Sequence, residues 1–530
     1  MTAAIDQTFF DKTWDVVVIG TGIGGGTIGR ALAEQGLSVL FVEQGSQGYA
    51  HEQTALDAAV FDPVARHIRG MWPTPIRAKV NGRTSEFFAP LGSGLGGSSV
   101  FYAATLERPE PHDLDHSYEV PHPTGGWPVS YGQMAPYFGR AERMYHIGGT
   151  HDPLSDQRST LGAPLNMSIG DRAMMENFSA AGLHPYVAHL ALKKSKGCHG
   201  CFGFKCAHDC KMDGRSAGVL PALETGNAEL LTNAKVTKIS ANRTAVTHLS
   251  LQWSGQDKTV HAKRYVLAAG ALGSAKLLLA SQQKNWPDGC ANSSGLVGRN
   301  LMFHLTEMIA IWPKRGAGFM GASKSIALRD FYVRGGARLG IVQAMGLEAS
   351  YGDIVHHLNG IFDRSIFSKL LFLRHLTRIP AMMATWLFGD AKIFVGILED
   401  LPYAQNRLVY DAQNPDHIFV EYDMQPELLA RRKSFRKLLK KGFSKNRTWL
   451  LGVQPELNFG HPSGTVCFGI DPAKSVLDTN CKTHDLSNLY VVDASFMPTS
   501  MGVNPSLTIA ANALRVADII AQELTTQKDN

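Results

Sequence analysis

One stretch constrains this 530-residue chain more than any other, Trp14 to Gly45. Asp15-Val16-Val17-Val18-Ile19 is a short β-branched apolar run, the composition of a buried strand. Gly20-Thr21-Gly22-Ile23-Gly24-Gly25 follows without a spacer, and Thr27 to Gln35 reads as a helix. A second apolar run, Ser38 to Val42, ends in Glu43. Strand, glycine turn, helix, strand and acid, in that order, spell a nucleotide-binding βαβ unit. Gly20 permits the tight turn, Gly22 lets the backbone approach a pyrophosphate, and Gly25 lets the helix pack on the strand. Ile23 and Gly24 lie between them, in the stretch that would line the nucleotide. The pyrophosphate would rest on the helix N-terminus, where free N–H groups and the macrodipole favour an anion. Glu43 closes the second strand, where an acid can reach a ribose hydroxyl.

The chain is too long for one ordinary core, so two domains or one elaborated domain are expected. A net charge of +6 with no arginine-rich arm and no nucleic-acid module argues against DNA or RNA as a partner. Met1 to Asp11 has neither a basic n-region nor an apolar h-region, so it does not read as a signal peptide. Ile379 to Gly389 is uncharged throughout but too short to span a bilayer. A cytoplasmic location is the expectation, with export alongside a partner left open.

A second glycine-rich stretch, Leu91-Gly92-Ser93-Gly94-Leu95-Gly96-Gly97-Ser98-Ser99, cannot be the interior of a helix or strand. Beside the first glycine turn, it reads as backbone pressed against a flat cofactor. Together the two glycine motifs resemble the glucose–methanol–choline (GMC) family of FAD oxidoreductases. Later stretches agree: Gly126 to Tyr131 with Pro136-Tyr137-Phe138 and Glu142, Val266 to Ser274, and Gly295 to Leu301. The resemblance runs from about Asp15 to Ile520. It implies an α/β fold, with a Rossmann-like FAD-binding domain and a second, α+β substrate domain built on an antiparallel sheet. The FAD domain would be discontinuous, over 10–110, 215–300 and 456–525. The substrate domain would take 111–214 and 301–455. Gly94, Gly97, Ser98, Ala269 and Gly270 would approach the cofactor, with Val236 on its adenine side. Tyr102 stands where many members have asparagine.

Four cysteines crowd into one short stretch, Cys198, Cys201, Cys206 and Cys210, spaced C-x2-C-x4-C-x3-C. Without a signal peptide, structural disulfides are disfavoured. Some GMC dehydrogenase subunits carry an iron–sulfur cluster here. By that resemblance Cys201, Cys206 and Cys210 would be the ligands, with Cys198 as an alternative. A packed thiol loop, a zinc site and a redox disulfide remain open. A cluster would imply an electron-accepting partner subunit.

Strand-like runs at Leu339 to Met345, Ile393 to Leu398 and His417 to Tyr422 suggest an antiparallel sheet. Two basic apolar segments suggest surfaces, Ile366 to Phe388 and Arg431 to Lys445. Each could contact a membrane peripherally or meet an acidic partner, or be an ordinary helix with its apolar side in the core.

At the C-terminus, His461-Pro462-Ser463-Gly464-Thr465 precedes a strand ending at Asp493-Ala494, and Gly502-Val503-Asn504-Pro505 leads into an apolar helix, Ile509 to Ile520. His461 precedes a proline, so its backbone is biased away from helix, and a loop histidine titrating near neutrality suits general-base work. Pro505 suits the first helical position, and a helix N-terminus aimed at a flavin would stabilise its reduced ring. These stretches resemble the family's HPxGT and NP signatures. The resemblance makes His461 the base for a substrate hydroxyl while hydride passes to flavin N5. Asn504 would bind the same oxygen, and Asp493, Ala494 and Pro505 would contact the flavin. The implied activity is oxidation of an alcohol, of a sugar, glycoside or other class, to a carbonyl by a dehydrogenase. Its alternatives are an oxygen-using alcohol or sterol oxidase, or, in another class, a lyase or decarboxylase of the same fold.

Overall fold

The first strand, Thr13–Ile19, pairs in parallel with Val39–Val42 on one side and with the C-terminal half of Gln256–Leu267 on the other. Ala228–Leu231 and Leu489–Val491 extend this sheet at its two edges, again in parallel. The computed structural model describes residues 7–48, 62–193, 201–313, 324–346, 355, 358–359, 362, 369–388 and 391–528. Parallel strands covered on both faces need continuous apolar sequence. Accordingly Val16, Val17, Val18, Val39, Leu40 and Phe41 have no exposed surface. The N-terminal half of Gln256–Leu267 leaves the parallel sheet and forms an antiparallel meander with Val246–Trp253 and Ala234–Ala241.

The helix after the first glycine turn spans Ile23–Glu34, four residues earlier than its sequence suggests. Glycines 24, 25 and 26 lie inside it despite glycine's poor helix propensity. Close backbone approach explains them. A Cβ would fall 2.4 Å from the Val492 oxygen at Gly24, 2.0 Å from the Gly20 oxygen at Gly25 and 2.3 Å from the Gly214 oxygen at Gly26. The C-terminal helix, Ser506–Lys528, packs against it.

The second large sheet is antiparallel, as expected. Met302–Ile311 lies between Lys392–Leu398 on one side and Thr448–Leu450 and Glu456–Ser463 on the other. Val342–Ala344, Ile326–Leu328 and Tyr186–Val187 continue it beyond Lys392–Leu398. The run near residue 420 does not join this sheet. Ile418–Tyr422 pairs in parallel with Ile76–Val80 in a separate four-stranded sheet.

The basic segment Arg431 to Lys445 takes up the C-terminal part of the helix Pro426–Gly442 and the turn after it, and its membrane reading is overturned. Leu428, Phe435 and Leu439 are buried, and Arg432 and Arg436 both pair with the buried Glu307. Its apolar side belongs to the core of the antiparallel sheet.

Candidate active site

Both glycine stretches converge at Thr21. Its hydroxyl donates to Glu43 Oε2 at 2.6 Å and accepts the Gly96 N–H at 3.1 Å. The buried Glu43 carboxylate also accepts the Gly45 N–H at 3.0 Å. Burial pushes its carboxyl upward, and the bonds from Thr21 and Gly45 oppose that. A Cβ on Gly97 would sit 3.1 Å from the Gly22 Cα, so the two loops meet backbone to backbone. Gly94 is equally crowded, its Cβ position lying 2.7 Å from the Gly70 Cα, whereas the Ser98 hydroxyl is exposed and accepts the Gly92 N–H at 2.9 Å.

Gly20 (φ +99°) has room for no side chain, because its Cβ would lie 2.5 Å from the Ala268 oxygen. Gly22 and Gly270 differ: a Cβ there meets nothing within 4 Å. Tight packing behind the turn with open space before it is the shape of a pyrophosphate cradle, and FAD fits it. Val236 lies two residues beyond Ala234, whose N–H donates to the Glu43 carbonyl at 3.0 Å, so the strand Ala234–Ala241 borders this crevice.

Asp493 is buried, and the protein occupies both its carboxylate oxygens. Oδ2 accepts from the Gly270 N–H at 3.0 Å and from the Ser274 hydroxyl, and Oδ1 accepts from Ser495 N–H at 2.9 Å and Ser495 Oγ at 2.5 Å. It clamps the start of the Gly270–Ala280 helix, next to Ala269, to the turn that begins at Ala494.

His461 lies on the strand Glu456–Ser463, not on a loop. The strand bulges there, since Met302 pairs with Ser463 but His304, two residues on, pairs with Asn458. Such a bulge re-aims side chains. His304 was not legible as a site residue, although it lies three residues beyond the Gly295 to Leu301 motif. Its Nδ1 is 2.9 Å from His461 Nδ1, and its Nε2 is 3.1 Å from the Ser500 oxygen and 3.0 Å from the Met501 oxygen. Two carbonyls can only accept, so Nε2 of His304 carries a proton. Burial lowers the His304 pKa to about 4. His304 is therefore neutral at neutral pH, and its Nδ1 is an acceptor. His461 must then donate from Nδ1, which leaves its Nε2 with a free lone pair. Asn458 Nδ2 lies 3.3 Å from the same His461 Nδ1. Both contacts cannot be donor–acceptor pairs, and the shorter one from the tighter network sets this tautomer assignment. Burial, then His304, then the Lys324 ammonium lower the His461 pKa to about 3, so it stays neutral, the form that accepts a proton.

Asn504 follows on the loop whose carbonyls hold His304. Its Oδ1 accepts from Gln343 Nε2 at 3.1 Å, which turns its own N–H groups elsewhere. Pro505 precedes the helix, which starts at Ser506, one residue later than expected. Neither Gln343 nor Lys324 carried a sequence signal. Lys324 is buried, its pKa lowered by that burial to about 7, and no hydrogen bond or ion pair engages its ammonium among the described residues.

The cysteine loop does not support the cluster reading. Cys201, Cys206 and Cys210 are buried together, and Cys198 lies outside the described residues. Among the described residues no group of three His, Cys, Asp or Glu side chains could hold a metal ion. Cys206 and Cys210 sulfurs are 3.3 Å apart. The two sulfurs touch directly, within hydrogen-bonding distance of each other. Lys211 fixes this loop to the second glycine stretch, donating from Nζ to the carbonyls of Val100 and Cys201, each at 2.8 Å. Tyr102 donates its hydroxyl to the Met212 carbonyl.

The chain belongs to the GMC oxidoreductase family, which it matches over residues 16–306 and 443–513. It is accordingly an FAD-dependent oxidoreductase acting on alcohol groups. It is similar to paromamine 6'-oxidase of Streptomyces fradiae, at 28% identity over 98% of this chain and 93% of that protein. It is also similar to 2-methyl-1,2-propanediol dehydrogenase of Mycolicibacterium austroafricanum, at 27% identity over 99% of this chain and 97% of that one. Among solved structures, pyridoxine 4-oxidase from Mesorbium loti shares the fold, with a TM-score of 0.61 at 20% identity, covering 96% of this chain and 99% of that one.

Proposed function

We propose that this enzyme oxidises a small hydroxylated molecule with His461 as general base and Asn504 as the second ligand of the substrate oxygen. The observation that carries this reading is the 2.9 Å His304–His461 contact, which leaves His461 Nε2 as an acceptor. FAD, when bound, supplies the hydride acceptor. His461 Nε2 takes the hydroxyl proton, and an Asn504 amide N–H donates to the oxygen as it gains negative charge. Gln343 keeps the Asn504 amide in that orientation. Glu43 serves the ribose and Val236 the adenine. Ala269, Gly270 and Ala494 present backbone, and Asp493 positions them. Residues 10–110, 215–300 and 456–525 hold the cofactor, and 111–214 with 301–455 enclose the substrate.

The relatives' names point to alcohol groups on amino sugars and small diols, and these head the substrate panel. An intact His461 and Asn504 pair favours alcohol oxidation over lyase or decarboxylase chemistry. The test is anaerobic: the holoenzyme is mixed with each alcohol and flavin absorbance is followed, then air is admitted and peroxide assayed. Bleaching by an alcohol supports the reading. Rapid peroxide on aeration makes the enzyme an oxidase, and reoxidation only by an artificial acceptor makes it a dehydrogenase. A flavin bleached by dithionite but by none of the alcohols refutes the reading.

A further inference from the structure

The two basic apolar segments have opposite structural fates. Leu371–Arg374 and Arg378–Phe388 are helices joined by the single turn His375–Thr377, so they form one nearly continuous helical arm. Phe372 is 68% exposed, Leu376 53%, Ile379 56% and Met383 66%. Spacings of four, three and four residues put these side chains on one side of the arm. Met382 and Leu370 are also exposed, while Ala381 is buried. Among the described side chains, Ala381 therefore turns inward and Phe372, Leu376, Ile379, Met382 and Met383 turn toward solvent, with Leu373 half-buried. Contiguous apolar surface of this kind marks a contact site.

The charge around this face selects the partner. Along the described residues 369–388 the sequence carries Lys369, Arg374 and Arg378 and no acidic residue. Lys369, His375 and Arg378 are exposed beside the apolar side chains. A second copy docked on the same face would bring cations against cations. An anionic lipid surface accepts both features, since apolar side chains enter the acyl boundary and the cations meet headgroups. No described helix is long and apolar enough to cross a membrane, so the arm would lie in the plane of the interface.

We propose that the 370–383 arm seats the enzyme on an anionic bilayer. The proposal rests on exposed side chains of the arm alone and stands whether or not the alcohol reading holds.

The test is co-sedimentation of the holoenzyme with phosphatidylcholine vesicles, with and without phosphatidylglycerol. Binding should be at least about tenfold stronger to the anionic vesicles and weaken with salt. The double variant I379E/M383E, altered only at exposed positions, should lose that binding by at least about tenfold while keeping its flavin spectrum and its activity on a water-soluble substrate. A dye on L376C supplies a second readout that needs no charge-inserting variant. Its emission should shift to the blue with anionic vesicles and stay unchanged with neutral ones. The proposal is overturned if the wild type ignores anionic vesicles, if I379E/M383E binds them as well as wild type, or if the L376C dye does not respond. It is equally overturned if the wild type sediments as a dimer that I379E/M383E converts to a monomer without any lipid binding in either.

Discussion

The cofactor crevice and the reacting face are built by different rules. The crevice is backbone meeting backbone: Gly20, Gly25 and Gly97 are there because nothing larger fits, and Gly22 because the space before it must stay open. The reacting face is side chain meeting side chain, assembled from residues 304, 343, 461 and 504 on four separate segments. The crevice leaves little room for a change in shape. The reacting face depends on which atom carries each proton. Damage to the first should remove the cofactor, and damage to the second should leave a yellow but slow enzyme.

The sharpest break in that comparison lies within the first glycine turn. Gly20→Ala should destabilise the fold by about 2 kcal/mol or more, because it forces an L-residue to φ +99° against the Ala268 carbonyl. Gly22→Val should leave the apoprotein's melting temperature nearly unchanged, since its Cβ enters open space, yet abolish retention of FAD. Thermal melts of apoprotein and flavin content after gel filtration separate the two effects.

On the reacting face the next largest effect is expected at His304. His304→Phe fills similar space but removes the acceptor for His461 Nδ1–H. The kcat should fall by about 10- to 100-fold with KM little changed and flavin retained, because a tautomer and not a binding contact is lost. Gln343→Leu should be milder, about tenfold in kcat/KM, the worth of one buried hydrogen bond of about 1.4 kcal/mol. Steady-state kinetics with one alcohol measure both.

A smaller effect tests the scaffold beneath both regions. Burial would raise the Glu107 pKa, but the His189 charge and hydrogen bonds and the Arg329 charge outweigh it and hold it at about 2. Burial would lower that of His189, and Glu107 outweighs it and raises it. The Glu107 contribution to stability is present above its ordinary value of about 4.3 and is lost as pH falls toward 2. The His189 contribution is present below about 6.5 and is lost as pH rises through its raised folded value. The melting temperature should therefore be highest between those limits and decline on both sides. Glu107→Gln should flatten that profile.

These differences explain what could be read from the chain. Gly20 to Glu43 is local, so strand, turn, helix and acid stand in sequence order and were legible there. His461 and Asn504 were legible because each sits in a dense short motif. His304 was not. It becomes part of the site only because Met302–Ile311 pairs with a strand far along the chain, Glu456–Ser463, and a bulge turns His461 onto it. Gln343 and Lys324 reach the site through tertiary packing alone. The helices at 371–388 and 426–442 look alike as sequence, basic and apolar at helical spacing. Burial of Phe435 and Leu439 separates one from the exposed Phe372 and Ile379 of the other. Periodicity specifies an apolar face and is silent on what covers it. Cysteine spacing likewise allowed a cluster, and only the packing of Cys206 against Cys210 argued for thiols in contact.

The central claim is that His461 accepts the substrate proton while the crevice holds the flavin independently of it. Single-turnover anaerobic bleaching of the flavin by an alcohol, in wild type and His461→Ala, tests it most directly. The account predicts that His461→Ala retains its flavin and bleaches about 10²- to 10⁴-fold more slowly. Bleaching at the wild-type rate in His461→Ala would contradict it.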